Sequence, residues 1–114
     1  MKAFITGIKG FVGQNIAKEC EEQEIDVTGI DIMDGNDRSY YKMDITSEHI
    51  SEIIPEGCDA IIHLAALSRD KDCQNNALNC FNTNVMGTLN LMEAAQKRGV
   101  KTFIFASTEW VYDK

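Results

Sequence analysis

Short apolar runs alternate with longer stretches of helical periodicity along the whole chain. The first run, residues 2–6 (KAFIT), reads as a strand. In residues 11–23, Val12, Ile16, Ala17 and Cys20 fall on one face of a helix. Residues 25–32 (IDVTGIDI) form a second strand ending in an acid, residues 33–38 a polar, turn-rich loop, and residues 40–43 a short third strand. Thr46 or Ser47 can cap a short helix running to Ile54, which Pro55 and Gly57 stop. Residues 58–66 (CDAIIHLAA) are almost continuously apolar, as in a strand covered on both faces. The longest helix is expected over 75–98, with Phe81, Val85, Thr88, Leu89, Met92 and Ala95 as its apolar stripe and Gly99 as its stop. Residues 101–106 (KTFIFA) give a fifth strand.

Strands that alternate with helices call for a parallel sheet with right-handed crossovers. Five of them predict the order 3-2-1-4-5 in a three-layer αβα sandwich, ending after strand 5. The 114 residues suffice for one domain, 1–114, with no repeat or Pro/Gly-rich linker to divide it. A net charge of −7 repels phosphate backbones and anionic lipid, so neither nucleic acid nor membrane is an expected partner. Backbone amides can still offer a phosphorylated ligand local positive potential. No apolar run approaches the ~20 residues that span a bilayer, and the first residues break too soon for a signal peptide. Cys20, Cys58, Cys73 and Cys80 make no Cys-x-x-Cys pair and no zinc-like spacing with His49 or His63. Reduced, buried thiols in a cytoplasmic protein without a metal are therefore expected.

The candidate chemistry begins between the first strand and the first helix. Gly7 allows a sharp turn, Gly10 lets the backbone approach a pyrophosphate, and Gly13 lets the helix pack closely on the strand. The amides near Gly10, Phe11 and Val12 then face the phosphates, aided by the helix dipole. Asp31, followed by Ile32, ends the second strand 24 positions after Gly7, close to the ~20 expected of a dinucleotide fingerprint. A carboxylate there accepts both hydroxyls of an adenosine ribose and disfavours a 2′-phosphate, so NAD is expected over NADP. The pattern predicts a Rossmann-type domain.

Thr6-Gly7-Ile8-Lys9-Gly10-Phe11-Val12-Gly13 resembles the glycine motif of the extended short-chain dehydrogenase/reductases, and most closely their nucleotide-sugar epimerase/dehydratase branch. The resemblance runs the full length of the chain. It implies that Asp44 and Ile45 meet the adenine, and that Leu64, Ala65 and Ala66 of His63-Leu64-Ala65-Ala66, with Ser68 beyond, lie along the phosphates and the nicotinamide-side ribose. His63 itself reads as a packed, hydrogen-bonded core histidine. Within Asn84-Val85-Met86-Gly87-Thr88-Leu89-Asn90 the resemblance puts Asn84 beside the cofactor. Aligned on Val111-Tyr112, Thr108 falls on the catalytic hydroxyl that bonds the reacting sugar oxygen.

The branch works with a Tyr-x-x-x-Lys pair whose phenolate is the general acid/base. Tyr40 and Tyr41 are followed four positions later by Asp44 and Ile45, and Tyr112 belongs to the Val-Tyr motif. Asp113 stands where the family usually has glycine, and Glu109 is followed by Trp110 where dehydratases have Asp-Glu. The expectation is the NAD-binding part of a nucleotide-sugar enzyme, lacking the substrate lobe and inactive alone. A non-catalytic NAD(P)-sensing or scaffolding module is the alternative. The fifth strand leaves a free sheet edge through which a homodimer can form.

Overall fold

The computed structural model describes residues 1–35, 40–66 and 73–106. The chain runs β1 (Lys2–Thr6), α1 (Phe11–Glu22), β2 (Asp26–Asp31), β3 (Tyr40–Lys42), α2 (Ile50–Ile53) and β4 (Ala60–His63). It continues through α3 (Ala77–Phe81), a π-helical segment (Asn82–Met86), α4 (Gly87–Lys97) and β5 (Thr102–Phe105). The strands form one parallel sheet in the order β3-β2-β1-β4-β5, as the alternation of patterns predicts.

β1 is the central strand, and all its residues after Lys2 are buried. Side chains alternate between the two faces. Phe4, Ile30 and Ile61 point to the face covered by α2 and α4, where they meet Ile50, Ile54, Leu91, Ala94 and Ala95. Helix α1 packs over β1 and β2 on the opposite face. Gly99 ends α4 with φ +72°, its N–H bonding to Gln96 O at 3.1 Å while that of Val100 bonds to Ala95 O at 2.9 Å. This is a Schellman motif, and it explains the sharp stop.

Several local expectations need correction. The buried face of the long helix is Gly87, Leu91, Ala94 and Ala95, whereas Phe81, Val85, Leu89 and Met92 point outward. Helical spacing identifies a stripe without saying which side the sheet takes. Here Gly87 faces inward because Ile45 packs directly against it, and Leu91, Ala94 and Ala95 follow on the same face. The long helix is also not uniformly α: the Gly87 N–H reaches Asn82 O, five residues back. In α1, Ile16, Ala17 and Cys20 are half-buried, while Val12 is exposed. Helix α2 starts at Ile50 after His49, because Ser47 instead turns back to the Asp44 carbonyl at 3.0 Å.

Cys73 and Cys80 are joined in a disulfide, contrary to the expectation of four reduced thiols. Asn75, at φ +56°, reverses the chain before α3 and brings the two Cα atoms to 5.3 Å, within disulfide reach. Cys20 and Cys58 are free thiols, and burial raises the pKa of both. Among the described residues, no cluster of His, Cys, Asp and Glu could hold a metal ion, and no helix is long and apolar enough to cross a membrane.

Candidate functional site

A cleft of about 510 Å³ opens at the C-terminal ends of the parallel strands, within the size range of small-ligand sites. Its floor is the turn after β1. Gly7 sits at φ +72°, and its N–H bonds to Ile30 O at 2.9 Å, tying the turn to β2. A Cβ on Gly7 would lie 3.0 Å from backbone atoms of Leu64 and Ala65. At Gly13 it would lie 2.2 Å from the Gly7 carbonyl oxygen. The glycines thus let β1, α1 and the end of β4 converge at one point.

Helix α1 begins there with no side-chain cap and no acid in its first turn. The first amides of any helix lack intrahelical partners, so these carry the positive end of the dipole into the cleft. Gly10, Phe11, Val12 and Gly13 line this part. Phe11 is 86% exposed, in keeping with a residue at the mouth rather than in the core.

Asp31 stands at the end of β2 with its carboxylate oriented by the backbone. Oδ2 accepts the Lys9 N–H at 2.9 Å, and Oδ1 accepts those of Ile32 at 2.7 Å and Met33 at 3.4 Å. The Tyr40 hydroxyl donates to the Asp31 and Met33 carbonyls, and the Lys9 ammonium lies 4.6 Å from the centre of the Tyr40 ring. Burial, reinforced by the Asp31 charge, raises the Tyr40 pKa and keeps it a donor.

Asp44 and Ile45 form a second wall. Asp44 Oδ1 accepts from the Thr46 N–H at 2.9 Å and the Thr46 hydroxyl at 2.7 Å, and so makes its own turn. Asn90 pins that turn to α4 through bonds from Nδ2 to Ile45 O at 2.9 Å and Ser47 O at 2.8 Å. Leu64, Ala65 and Ala66 supply the wall beyond β4.

The cleft brings together every expected cofactor residue except Asn84 and Ser68. Asn84 turns its side chain toward Cys80, with Nδ2 3.4 Å from Sγ. Asn79 and Thr83, earlier on the same helical wall, line the cleft instead. Ser68 and Thr108 lie outside the described residues. Ile30, Met33 and Met43 also line the cleft and were not singled out from sequence. Met43 directly precedes Asp44 and Met33 lies two residues beyond Asp31, which is the signal the sequence offers for them. His63 is buried and hydrogen-bonded on both ring nitrogens, and burial pushes its pKa down to about 4.

A parallel 3-2-1-4-5 sheet with a glycine turn and an acid at the adjacent strand ends defines a Rossmann-type nucleotide-binding domain. The model of the NAD dependent epimerase/dehydratase family matches residues 3–114, and the chain belongs to that family. It is 28% identical over 128 residues to a UDP-glucose 4-epimerase of Klebsiella pneumoniae, covering 98% of this chain and 92% of that one. It is 32% identical to a UDP-N-acetyl-alpha-D-glucosaminuronate decarboxylase of Bacillus cytotoxicus, covering 99% of this chain and 38% of the relative. Among solved structures it resembles a UDP-glucose-4-epimerase of Stenotrophomonas maltophila with bound NAD and formylated UDP-arabinopyranose. The TM-score is 0.87 at 26% identity, over 98% of this chain and 38% of that one. The chain thus spans well under half the length of these last two relatives.

Proposed function

We propose that this chain is the NAD-binding portion of an NAD-dependent nucleotide-sugar epimerase or dehydratase. The observation that carries the proposal is the juxtaposition of Asp31 with the uncapped start of α1 in one cleft. The residues present fit NAD. The first amides of α1, around Phe11, Val12 and Gly13, would hold the pyrophosphate, and Asp31 would accept the adenosine ribose hydroxyls. Ile32, Asp44 and Ile45 would enclose the adenine. Leu64, Ala65 and Ala66 would border the nicotinamide half, with Ser68 nearby; Asn84, whose side chain turns to Cys80, is left out of the set. The cofactor, when bound, supplies the hydride acceptor. Thr108 would bond the reacting sugar oxygen.

No tyrosine of the chain is followed four residues later by lysine. These residues alone would therefore bind NAD without turning over a sugar. A nucleotide sugar is the substrate proposed for the enzyme as a whole. A second copy is proposed to pair along β5, the edge strand of the sheet among the described residues.

Calorimetric titration with NAD, with NADP as control, tests the proposal. NAD should bind the tighter of the two. Asp31→Ala should weaken NAD by roughly tenfold or more, the loss of a charge-assisted hydrogen bond. Equal NAD affinity in that variant would overturn the ribose assignment, and binding of neither nucleotide would overturn the proposal.

A further inference from the structure

Thr6, His63 and Thr88 form a hydrogen-bonded chain whose proton polarity is fixed at both ends. The Thr6 hydroxyl oxygen accepts the N–H groups of Leu64 at 3.0 Å and Ala65 at 3.1 Å. Its own proton is therefore directed to His63 Nδ1, 2.6 Å away. The Thr88 hydroxyl donates to the Asn84 carbonyl at 2.8 Å, so it accepts from His63 Nε2, also at 2.8 Å. The partners thus assign a neutral imidazole with its proton on Nε2. The ring is 1% exposed, stacked on Phe105 with Phe103 at its edge. Thr6 and His63 are thus closed to water, while Thr88 at the far end is half-buried.

The segments joined by this chain are the walls of the cleft. Thr6 precedes the Gly7 turn, and Leu64 and Ala65 are the wall beyond β4. At the far end, Asn84 lies in the π segment next to Thr83, which lines the opposite wall with Asn79. A π turn is rare within α-helices, and such turns gather at functional sites. The Thr88 hydroxyl on Asn84 O adds a bond at that turn.

We propose that His63 is a positioning residue. Through Thr6 and Thr88 it fixes the Leu64–Ala65 wall against the wall carrying Asn79 and Thr83, and so sets dinucleotide affinity without touching the ligand. The proposal rests on the NAD reading above for the identity of that ligand.

The experiment combines long-range ¹⁵N–¹H correlation spectra of the histidine-labelled chain with NAD titration of two variants. His63 should show the Nε2–H tautomer, and its ring resonances should shift when NAD is added. Thr88→Val keeps the shape and removes the hydroxyl, and should weaken NAD measurably, by up to about tenfold, with the full value of one hydrogen bond as the upper bound. Thr88→Ser restores the hydroxyl and should bind like the parent. Circular dichroism verifies that each variant is folded. If Thr88→Val does not fold, the ring response of the parent decides, and an imidazole that NAD leaves unchanged overturns the proposal. An Nδ1–H tautomer, or parental affinity in folded Thr88→Val, overturns it as well. Failure of the parent to bind NAD overturns the NAD reading and the affinity claim together. Binding of NAD beside an unresponsive ring overturns the relay alone.

Discussion

Lowering the pH from about 7.5 to about 5 should act on this fold largely through one buried ring. His63 has a pKa of about 4 in the folded chain, against an ordinary value of 6.5. The shift is downward and its cause is burial, so the unfolded chain binds the extra proton between those two values. Well above pH 6.5 both states are neutral and nothing is lost. As the pH falls below that, the unfolded state gains, and the loss is complete below the folded pKa. Linkage gives about 2 kcal/mol at about pH 5, and about 3 kcal/mol at the acid limit. Against a typical domain stability of ~5–15 kcal/mol that is a large fraction. The measurement is urea unfolding at the two pH values in a His49→Gln background, which removes the exposed histidine paired with Glu48 and Glu52. Ordinary carboxylates are still mostly ionised at about pH 5. The midpoint should fall with the slope m unchanged. Equal stability at both pH values would refute the neutral, desolvated histidine on which the relay depends.

Gly13→Ala sets a Cβ 2.2 Å from the Gly7 carbonyl oxygen, a backbone atom that cannot move aside cheaply. Strain of about 1–3 kcal/mol should exceed the ~1 kcal/mol gain in helix propensity, lowering the melting temperature and abolishing NAD binding by calorimetry. Gly87→Ala presses on Ile45 Cγ2 at 2.4 Å, so it should destabilise alone and couple to Ile45→Ala. A double-mutant cycle in urea should show the pair costing at least about 0.5 kcal/mol less than the sum, and strict additivity would contradict the contact. Asn90→Ala leaves the Ile45 and Ser47 carbonyls without their shared donor, for about 1–3 kcal/mol by thermal melting.

The sheet was legible because each strand is a short apolar run bounded by turn chemistry, and order follows from alternation with helices. The Gly7 turn, the acid at residue 31 and the Gly99 stop were legible for the same reason: each is a local necessity of backbone geometry. The orientation of the long helix was not. Leu89 and Leu91 are equally apolar, and only the approach of Ile45 to Gly87 puts Leu91 inside. The π segment escaped because one extra residue in a turn leaves no compositional mark. It puts Asn79 and Thr83 on the cleft while the marked Asn84 turns toward Cys80. The Cys73–Cys80 bridge escaped because it depends on the left-handed Asn75 between them, which spacing does not reveal.

The central position of β1 has a kinetic consequence. The first strand of the chain can be completed only by one of the later ones: the Lys2 N–H bonds to Asp59 and the Lys2 ammonium to Glu56 O, at separations of 57 and 54 residues. The Gly7 turn rests on the same late partner, through the backbone of Leu64 and Ala65. Pairing so distant in sequence carries a loop-closure cost before it gains any contact, and such contacts slow folding. The groove is therefore expected to be among the last parts of the domain to form. A nucleotide can hold the finished fold by mass action, but it has nothing to grip on the way there.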